Sequence, residues 1–95
     1  MNYDAIVIGA GVMSASIAFH LAERGHKVAI LERKVTASGA TGHSSGLVRM
    51  HYDLEIEARL AHLSFGWFTD WSARVGGGCG FTRTGFLQLV SPDQV

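Results

Sequence analysis

Residues 5–14, Ala5-Ile6-Val7-Ile8-Gly9-Ala10-Gly11-Val12-Met13-Ser14, decide the fold. Four apolar residues end in a glycine, as a strand buried on both faces of a parallel sheet does. A helical stretch follows, from Val12 to about Arg24. Met13, Ile17 and Leu21 recur at i, i+4 and i+8, and Ala15, Ala18 and Ala22 keep the same side slim. Gly25 stands where a helix C-terminal glycine belongs. Val28-Ala29-Ile30-Leu31 then reads as a second buried strand, ending at Glu32. Strand, helix and strand in roughly thirty residues make a βαβ unit, with a right-handed crossover expected. The expected fold class is α/β, a Rossmann-like dinucleotide-binding unit.

The turn carries the chemistry. Two phosphates need donors without steric crowding. Gly9 permits the tight strand-to-helix turn, and Gly11, lacking a side chain, lets the backbone of Ala10, Val12 and Met13 approach a pyrophosphate. The helix N-terminus beyond offers unpaired N–H groups and partial positive charge. Ser14 departs from the pattern, which wants a third glycine for close helix–strand packing. Its hydroxyl is expected to widen that packing slightly or to bond back to the Ala10 carbonyl. Glu32, at the end of the second strand, supplies an acceptor for the ribose hydroxyls of an adenosine. An acid here argues against a 2′-phosphate and so against NADP. The turn itself does not separate NAD from FAD.

Beyond Glu32 a plain NAD domain soon enters another helix. Here residues 35–46, VTASGATGHSSG, form a small, polar loop of unusual length. Ser38, Thr41, Ser44, Ser45 and free N–H groups in it suit a cradle for a larger cofactor, and equally suit a flexible surface loop. Asp53 reads as the N-cap of a long helix running to about Val75, with Glu55 and Glu57 in its first turn. Leu60, Leu63, Trp67, Trp71 and Val75 form its apolar stripe, and Gly76-Gly77-Gly78 ends it. Phe81 to Val90 reads as a further strand with a bulge or close approach at Gly85, closed by Pro92.

Composition narrows the function classes. Ninety-five residues are one domain at most, and 47% hydrophobic with 17% charged is ordinary globular usage. The formal net charge is zero and no basic stripe is visible, so nucleic acid is not an expected partner. Cys79 is the single cysteine, which excludes an internal disulfide and a CxxC metal site and suits a reducing, cytoplasmic setting. The first apolar run is too short to span a bilayer, and Asp4 precedes it where a signal peptide would be basic.

DAIVIGAGVMSASIAFHLAERGHKVAILER, then ASGATGHSSGLVRMHY, then FTRTGFLQLVS resembles the N-terminal part of the FAD-dependent amine oxidoreductases. These are the D-amino-acid oxidase superfamily, especially its sarcosine oxidase, glycine oxidase and dimethylglycine dehydrogenase branch. The three segments stand in the family's order and cover nearly the whole chain. The resemblance implies FAD as cofactor. It matches Gly9, Gly11 and Ser14 to the pyrophosphate turn, Glu32 to the ribose-binding acid and Arg33 to the residue beside the adenosine. It also matches Ser44, Ser45 and Gly46 to a segment passing the flavin ring, and Arg49 to a basic residue near the isoalloxazine. A cation there stabilises negative charge on reduced flavin.

In the dimethylglycine and sarcosine dehydrogenases of that branch, a histidine three before this glycine carries FAD covalently. His43 fits by spacing, while Gly42 stands where that branch has tryptophan. The resemblance therefore implies for His43 either a covalent link or a contact to phosphate or flavin. Among the other histidines His51 lies just beyond the flavin segment. Trp67 and Trp71, at helical spacing, read as core and not as a substrate cage. The implied reaction is oxidation of a small amine or amino acid by hydride transfer to flavin, with reoxidation by oxygen or an electron carrier. The substrate domain of the family lies outside these residues, so the chain is expected to be the N-terminal part of a longer flavoprotein. Rival readings are an NAD-dependent dehydrogenase and a non-catalytic FAD-binding subunit of a multi-subunit amine oxidase.

Overall fold

The computed structural model describes residues 1–94. They fall into two compact units, Met1–Gly46 and the described residues from Leu47 onward.

In the first unit β1 (Ala5–Ile8) leads through Gly9 into α1 (Val12–Glu23), and β2 (Val28–Leu31) follows. The two strands pair in parallel, Ala5 opposite Val28 and Ile8 opposite Leu31. Asp4 fastens the pair at its start: its carboxylate accepts the Lys27 N–H at 2.7 Å, and its own N–H donates to the Lys27 carbonyl at 2.8 Å. At the other end the Gly9 N–H donates to the Leu31 carbonyl at 2.7 Å. Helix α1 stops at a glycine C-cap. Gly25 adopts φ +86°, its N–H donates to the Ala22 carbonyl, and His26 N–H donates to the Leu21 carbonyl. That pair of bonds is a Schellman motif, which satisfies carbonyls the helix end would leave open.

Two expectations for this unit need correction. The strands are not buried on both faces. Ala5 and Val7 are half-buried, but Ile6 and Ile8 are 60% and 85% exposed, and among the described residues no side chain is fully buried. A two-stranded sheet with one helix covers one face only. The inward face of α1 keeps only part of the expected one, Ala18 and Leu21. Met13 and Ile17 are exposed, whereas Ser14, Ala18 and Leu21 are half-buried. Close approach of α1 to the sheet selects its smallest residues, so Ser14 and Ala18 take the inner side and the larger Met13 and Ile17 the outer.

In the second unit α2 (Glu55–Thr69) and α3 (Trp71–Arg74) replace the single long helix expected. The N-cap is Leu54, one residue after Asp53, and no side chain caps it. The break falls at Asp70. There the Thr69 hydroxyl donates back to the carbonyls of Phe65 (3.2 Å) and Gly66 (3.3 Å), competing with backbone donors for the last turn. Asp70 then serves as N-cap of α3 and its carboxylate pairs with Arg74 at 3.5 Å. Of the expected stripe, Trp67 and Trp71 are half-buried while Leu60 and Leu63 are exposed. Phe65, Phe68, Trp71 and Phe81 form one aromatic cluster, with centroids 5.7–6.1 Å apart. Arg74 lies over the Trp67 ring and Arg83 over Phe65.

No strand forms over residues 81–90. The segment has no hydrogen-bonded strand neighbour among the described residues, Gly80 and Gly85 turn it at positive φ, and Leu87 and Leu89 are 84% and 90% exposed. Its apolar pattern fits a strand, but a strand needs a partner ladder. A short 3₁₀ turn, Pro92–Gln94, ends the described chain. Among the described residues no helix is long and apolar enough to cross a membrane, and no group of histidine, cysteine and carboxylate side chains is placed to hold a metal ion.

Candidate cofactor-binding site

A cavity of about 240 Å³ opens beside the glycine turn. Gly9, Ala10, Gly11, Val12, Met13 and Glu32 line one side of it, and loop residues from Ala37 to Thr41 line the other. These six were all legible as candidates. Gly9 reaches its place through φ +94°, a conformation natural to glycine in a tight strand-to-helix turn. Gly11, the N-cap of α1, has no capping side chain of its own.

The donors of the turn divide into two sets. The N–H of Ala10 donates to Glu32 Oε2 at 2.9 Å, and that of Val12 donates to Thr41 Oγ1 at 3.0 Å. The N–H groups of Gly11, Met13 and Ser14 meet no protein acceptor among the described residues. Three open donors at a helix N-terminus, with its partial positive charge, are the arrangement that favours an anion.

Glu32 is held twice. Besides Ala10, the Lys34 N–H donates to its Oε1 at 2.8 Å. The Lys34 bond first and the Ala10 bond next keep the carboxyl below the usual range of a glutamate, with the Arg33 charge adding to the effect. The acid is therefore a carboxylate at neutral pH, with lone pairs left for further donors.

Residues 35–46 form no regular element, yet the loop is docked on the turn. Ala37 N–H donates to the Ala10 carbonyl at 2.9 Å, with Ala37 itself at φ +62°. That bond corrects one expectation for Ser14: the Ala10 carbonyl is taken by Ala37, and the Ser14 hydroxyl does not reach it. Ser14 instead packs under the turn, its Oγ 3.7 Å from where a Cβ on Gly9 would stand.

Thr41 is the loop hydroxyl that reaches the turn, which the sequence does not single out. It appeared only among several hydroxyls of the loop. The available signal was a helix whose N-cap is glycine, which needs its cap oxygen from elsewhere in the chain.

The remaining candidates of the first unit, Arg33, Ser14, His43, Ser44, Ser45 and Gly46, do not line the cavity wall. His43 Nδ1 donates to the Gly39 carbonyl at 2.7 Å, and Ser44 Oγ accepts the Gly46 N–H at 3.1 Å, so both stabilise the loop locally. Arg49 belongs to the second unit, where its guanidinium lies 4.9 Å over the Tyr52 ring. His51 stacks on Phe86 in the same unit.

What the first unit is built to take is a dinucleotide, since a parallel βαβ pair presents open N–H donors at a glycine turn and a carboxylate at the end of the second strand. The family model described as FAD dependent oxidoreductase matches residues 4–95, and the chain belongs to that family. It is 35% identical over 63 residues to a glycine oxidase of Geobacillus kaustophilus, covering 66% of this chain and 17% of that protein. A glycine oxidase of Bacillus licheniformis is 40% identical over 54 residues, covering 57% of this chain and 15% of the relative. The crystal structure of glycine oxidase from Bacillus cereus superposes with a TM-score of 0.67 at 40% identity, over 76% of this chain and 20% of that one. The chain thus spans about a fifth or less of the length of these relatives.

The fold is Rossmann-like and the cofactor of the family is FAD, which settles the choice that the glycine turn left open between FAD and NAD. The residues present fit that group. The cavity beside the turn has the open N–H groups of Gly11, Met13 and Ser14 and the Glu32 carboxylate at hand, and a Cβ on Gly11 would stand only 3.1 Å from Thr41 Oγ1, so glycine is what lets the loop pack this close to the turn.

Proposed function

We propose that the chain is the ADP-binding end of a flavin-dependent oxidoreductase that oxidises a small amine or amino acid at its C–N bond, a substrate of sarcosine, glycine, dimethylglycine or D-amino-acid type. The observation that carries the reading is the set of open N–H groups of Gly11, Met13 and Ser14 at the start of α1, beside the Glu32 carboxylate. The family match and the two glycine oxidase relatives support the substrate class.

In this reading Gly9 to Ser14 hold the pyrophosphate, Glu32 accepts from the ribose hydroxyls and Arg33 flanks the adenosine. His43, Ser44, Ser45 and Gly46 follow the cofactor toward its ring, and Arg49 offsets negative charge near it. FAD supplies a hydride acceptor for the carbon next to nitrogen. The protein's share is binding, orientation and electrostatics. Residues of a longer flavoprotein supply the substrate face, and its reoxidant is oxygen or an electron carrier. We place it in the cytoplasm, a setting that suits its single, exposed cysteine.

The test is anaerobic mixing of the flavoprotein that carries this segment with glycine, sarcosine, dimethylglycine and D-alanine. Bleaching of the visible flavin absorbance by one of them is expected. A bound flavin that none of these reduces would leave a non-catalytic FAD-binding subunit. Absence of bound flavin would remove the reading altogether.

A further inference from the structure

Ala10 is held from both sides by the chain that follows β2. Its N–H donates to Glu32 Oε2 at 2.9 Å, and its carbonyl accepts the Ala37 N–H at 2.9 Å. The carbonyl of Ala10 and the N–H of Gly11 belong to one peptide group. That group is planar and trans, so the two point in opposite directions. A partner that fixes the carbonyl therefore also fixes the line of the Gly11 N–H, one of the three open donors of the turn.

Ala37 makes this bond from an unusual backbone conformation. It is the third residue of a turn closed by the Ser38 N–H on the Val35 carbonyl at 3.2 Å, and its φ is +62°. Among the described residues no other non-glycine residue has a positive φ. Glycine or asparagine is the usual occupant of such a position, and a β-branched residue is the least suited to it. A residue with a Cβ stays there only where its surroundings over-determine it. Two contacts do so here. The N–H is seated on Ala10, and Gly42, having no Cβ, leaves room for the Ala37 carbonyl oxygen.

We propose that Ala37 is a positioning residue of the pyrophosphate site: its left-handed backbone seats its N–H on the Ala10 carbonyl and so holds the Ala10–Gly11 peptide in the orientation that meets a phosphate. The inference rests on the FAD-binding reading and adds to it the residue outside the glycine motif that sets the turn. Ligand and clamp do not compete, because a phosphate oxygen is itself an acceptor and has no use for a carbonyl. The clamp acts on the phosphate end alone. The ribose end depends on Glu32, whose second oxygen is anchored separately by the Lys34 N–H at 2.8 Å.

The experiment uses the flavoprotein that carries this segment, freed of flavin. FAD binding is followed by quenching of its fluorescence, and ADP and adenosine are each titrated as competitors. Ala37→Thr and Ala37→Asn add polar side chains of similar size, but asparagine tolerates the left-handed region and threonine does not. A37T is expected to bind FAD and ADP about tenfold more weakly, and A37N to bind them within about twofold of the wild type. Adenosine should bind within about twofold in all three proteins, a split from ADP that a merely structural residue would not give. ADP bound equally well by A37T and the wild type overturns the inference. An equal loss in A37N also overturns it, by assigning the effect to bulk. So does an adenosine loss as large as that of ADP, which would make Ala37 a support of the whole unit. A wild-type protein that binds neither FAD nor ADP defeats the FAD reading itself, and the inference with it. If A37T does not fold, the FAD-bound wild-type structure decides. Ala37 N within hydrogen-bond reach of the Ala10 carbonyl oxygen, with residue 37 at positive φ, supports the inference, and loss of either overturns it.

Discussion

Glu32 and Ala10 are 22 residues apart in sequence and joined by a 2.9 Å hydrogen bond, carboxylate to backbone N–H. The bond ties the end of β2 to the glycine turn that follows β1. Parallel strands leave that junction open, because the chain departs from both strands at the same edge. The acid proposed to accept from the ribose hydroxyls therefore also braces the turn proposed to hold the phosphates.

The first prediction concerns that acid. Glu32→Gln keeps the size but turns one acceptor into a donor, facing the N–H of Ala10 or of Lys34. ADP and FAD binding should weaken by about tenfold, since a charged acceptor of several bonds is lost. The pH dependence has a definite sign. The folded carboxyl titrates below its ordinary value, so its contribution is complete above that ordinary value and disappears as the pH falls through the lower folded one. ADP affinity of the wild type should be level from neutrality to about pH 5 and drop only in more acid solution, while E32Q shows no such drop from this group. Titration of ADP across that range measures both.

Gly11→Ala tests the close approach to the turn that only glycine allows. The added Cβ comes 3.1 Å from Thr41 Oγ1, a contact relieved by a small shift of that side chain. The fold should survive, and far-UV circular dichroism should be unchanged. FAD affinity should fall by about tenfold or more, because the methyl stands where the pyrophosphate must approach the backbone. Equal affinity for FAD in G11A would remove Gly11 from the site.

The parts of this structure legible in the sequence are those that local chemistry determines. β1, α1 and β2 follow from apolar runs, a glycine turn and the Gly25 cap, and each lies within a residue of its expected place. Two kinds of feature were not legible. How much of α1 faces the sheet depends on how close the helix comes: Ala18, Leu21 and the packing position 14 fall on the inner side as the sequence suggests, whereas Met13 and Ile17, included for their hydrophobicity, stay outside. The hydrogen bonds of Thr41 and Ala37 to the turn join residues 27–29 positions apart through an irregular loop, and no periodicity announces them. The strand expected over residues 81–90 failed for a third reason: its pattern describes what the segment suits, and a partner decides whether it forms.

The aromatic cluster of the second unit yields a stability prediction. Phe81 sits against Phe65 and Phe68, and it anchors the irregular segment after α3. Truncation of a fully buried phenylalanine costs about 3–5 kcal/mol, and Phe81 is only half-buried, so Phe81→Ala should cost about 1–2 kcal/mol. A lowered urea midpoint with a diminished near-UV aromatic signal checks it. A midpoint unchanged from the wild type would show that the cluster contributes nothing.

The last prediction separates the two roles that the resemblance implied for His43. Its Nδ1 proton is committed to the Gly39 carbonyl four residues back, which fixes the ring against its own loop. Gly42 beside it is held as tightly: a Cβ there would collide with the carbonyl oxygen of Ala37. Ala37 has little room to yield, since its N–H is engaged by Ala10. The tryptophan that the resemblance places next to a covalently linked histidine therefore does not fit this loop as it is folded. The expected outcome is a flavin held without a covalent bond. Acid precipitation of the flavoprotein should leave the flavin in the supernatant, whereas flavin retained in the pellet, and lost from it in His43→Ala, would establish the link. Gly42→Ala should destabilise the apo-protein by about 2 kcal/mol through the forced shift of Ala37. Because Ala37 is bonded to the glycine turn, G42A should also weaken ADP binding, although residue 42 does not line the cavity. Loss of stability without loss of ADP affinity would show that the loop and the turn move independently, against the docking seen here.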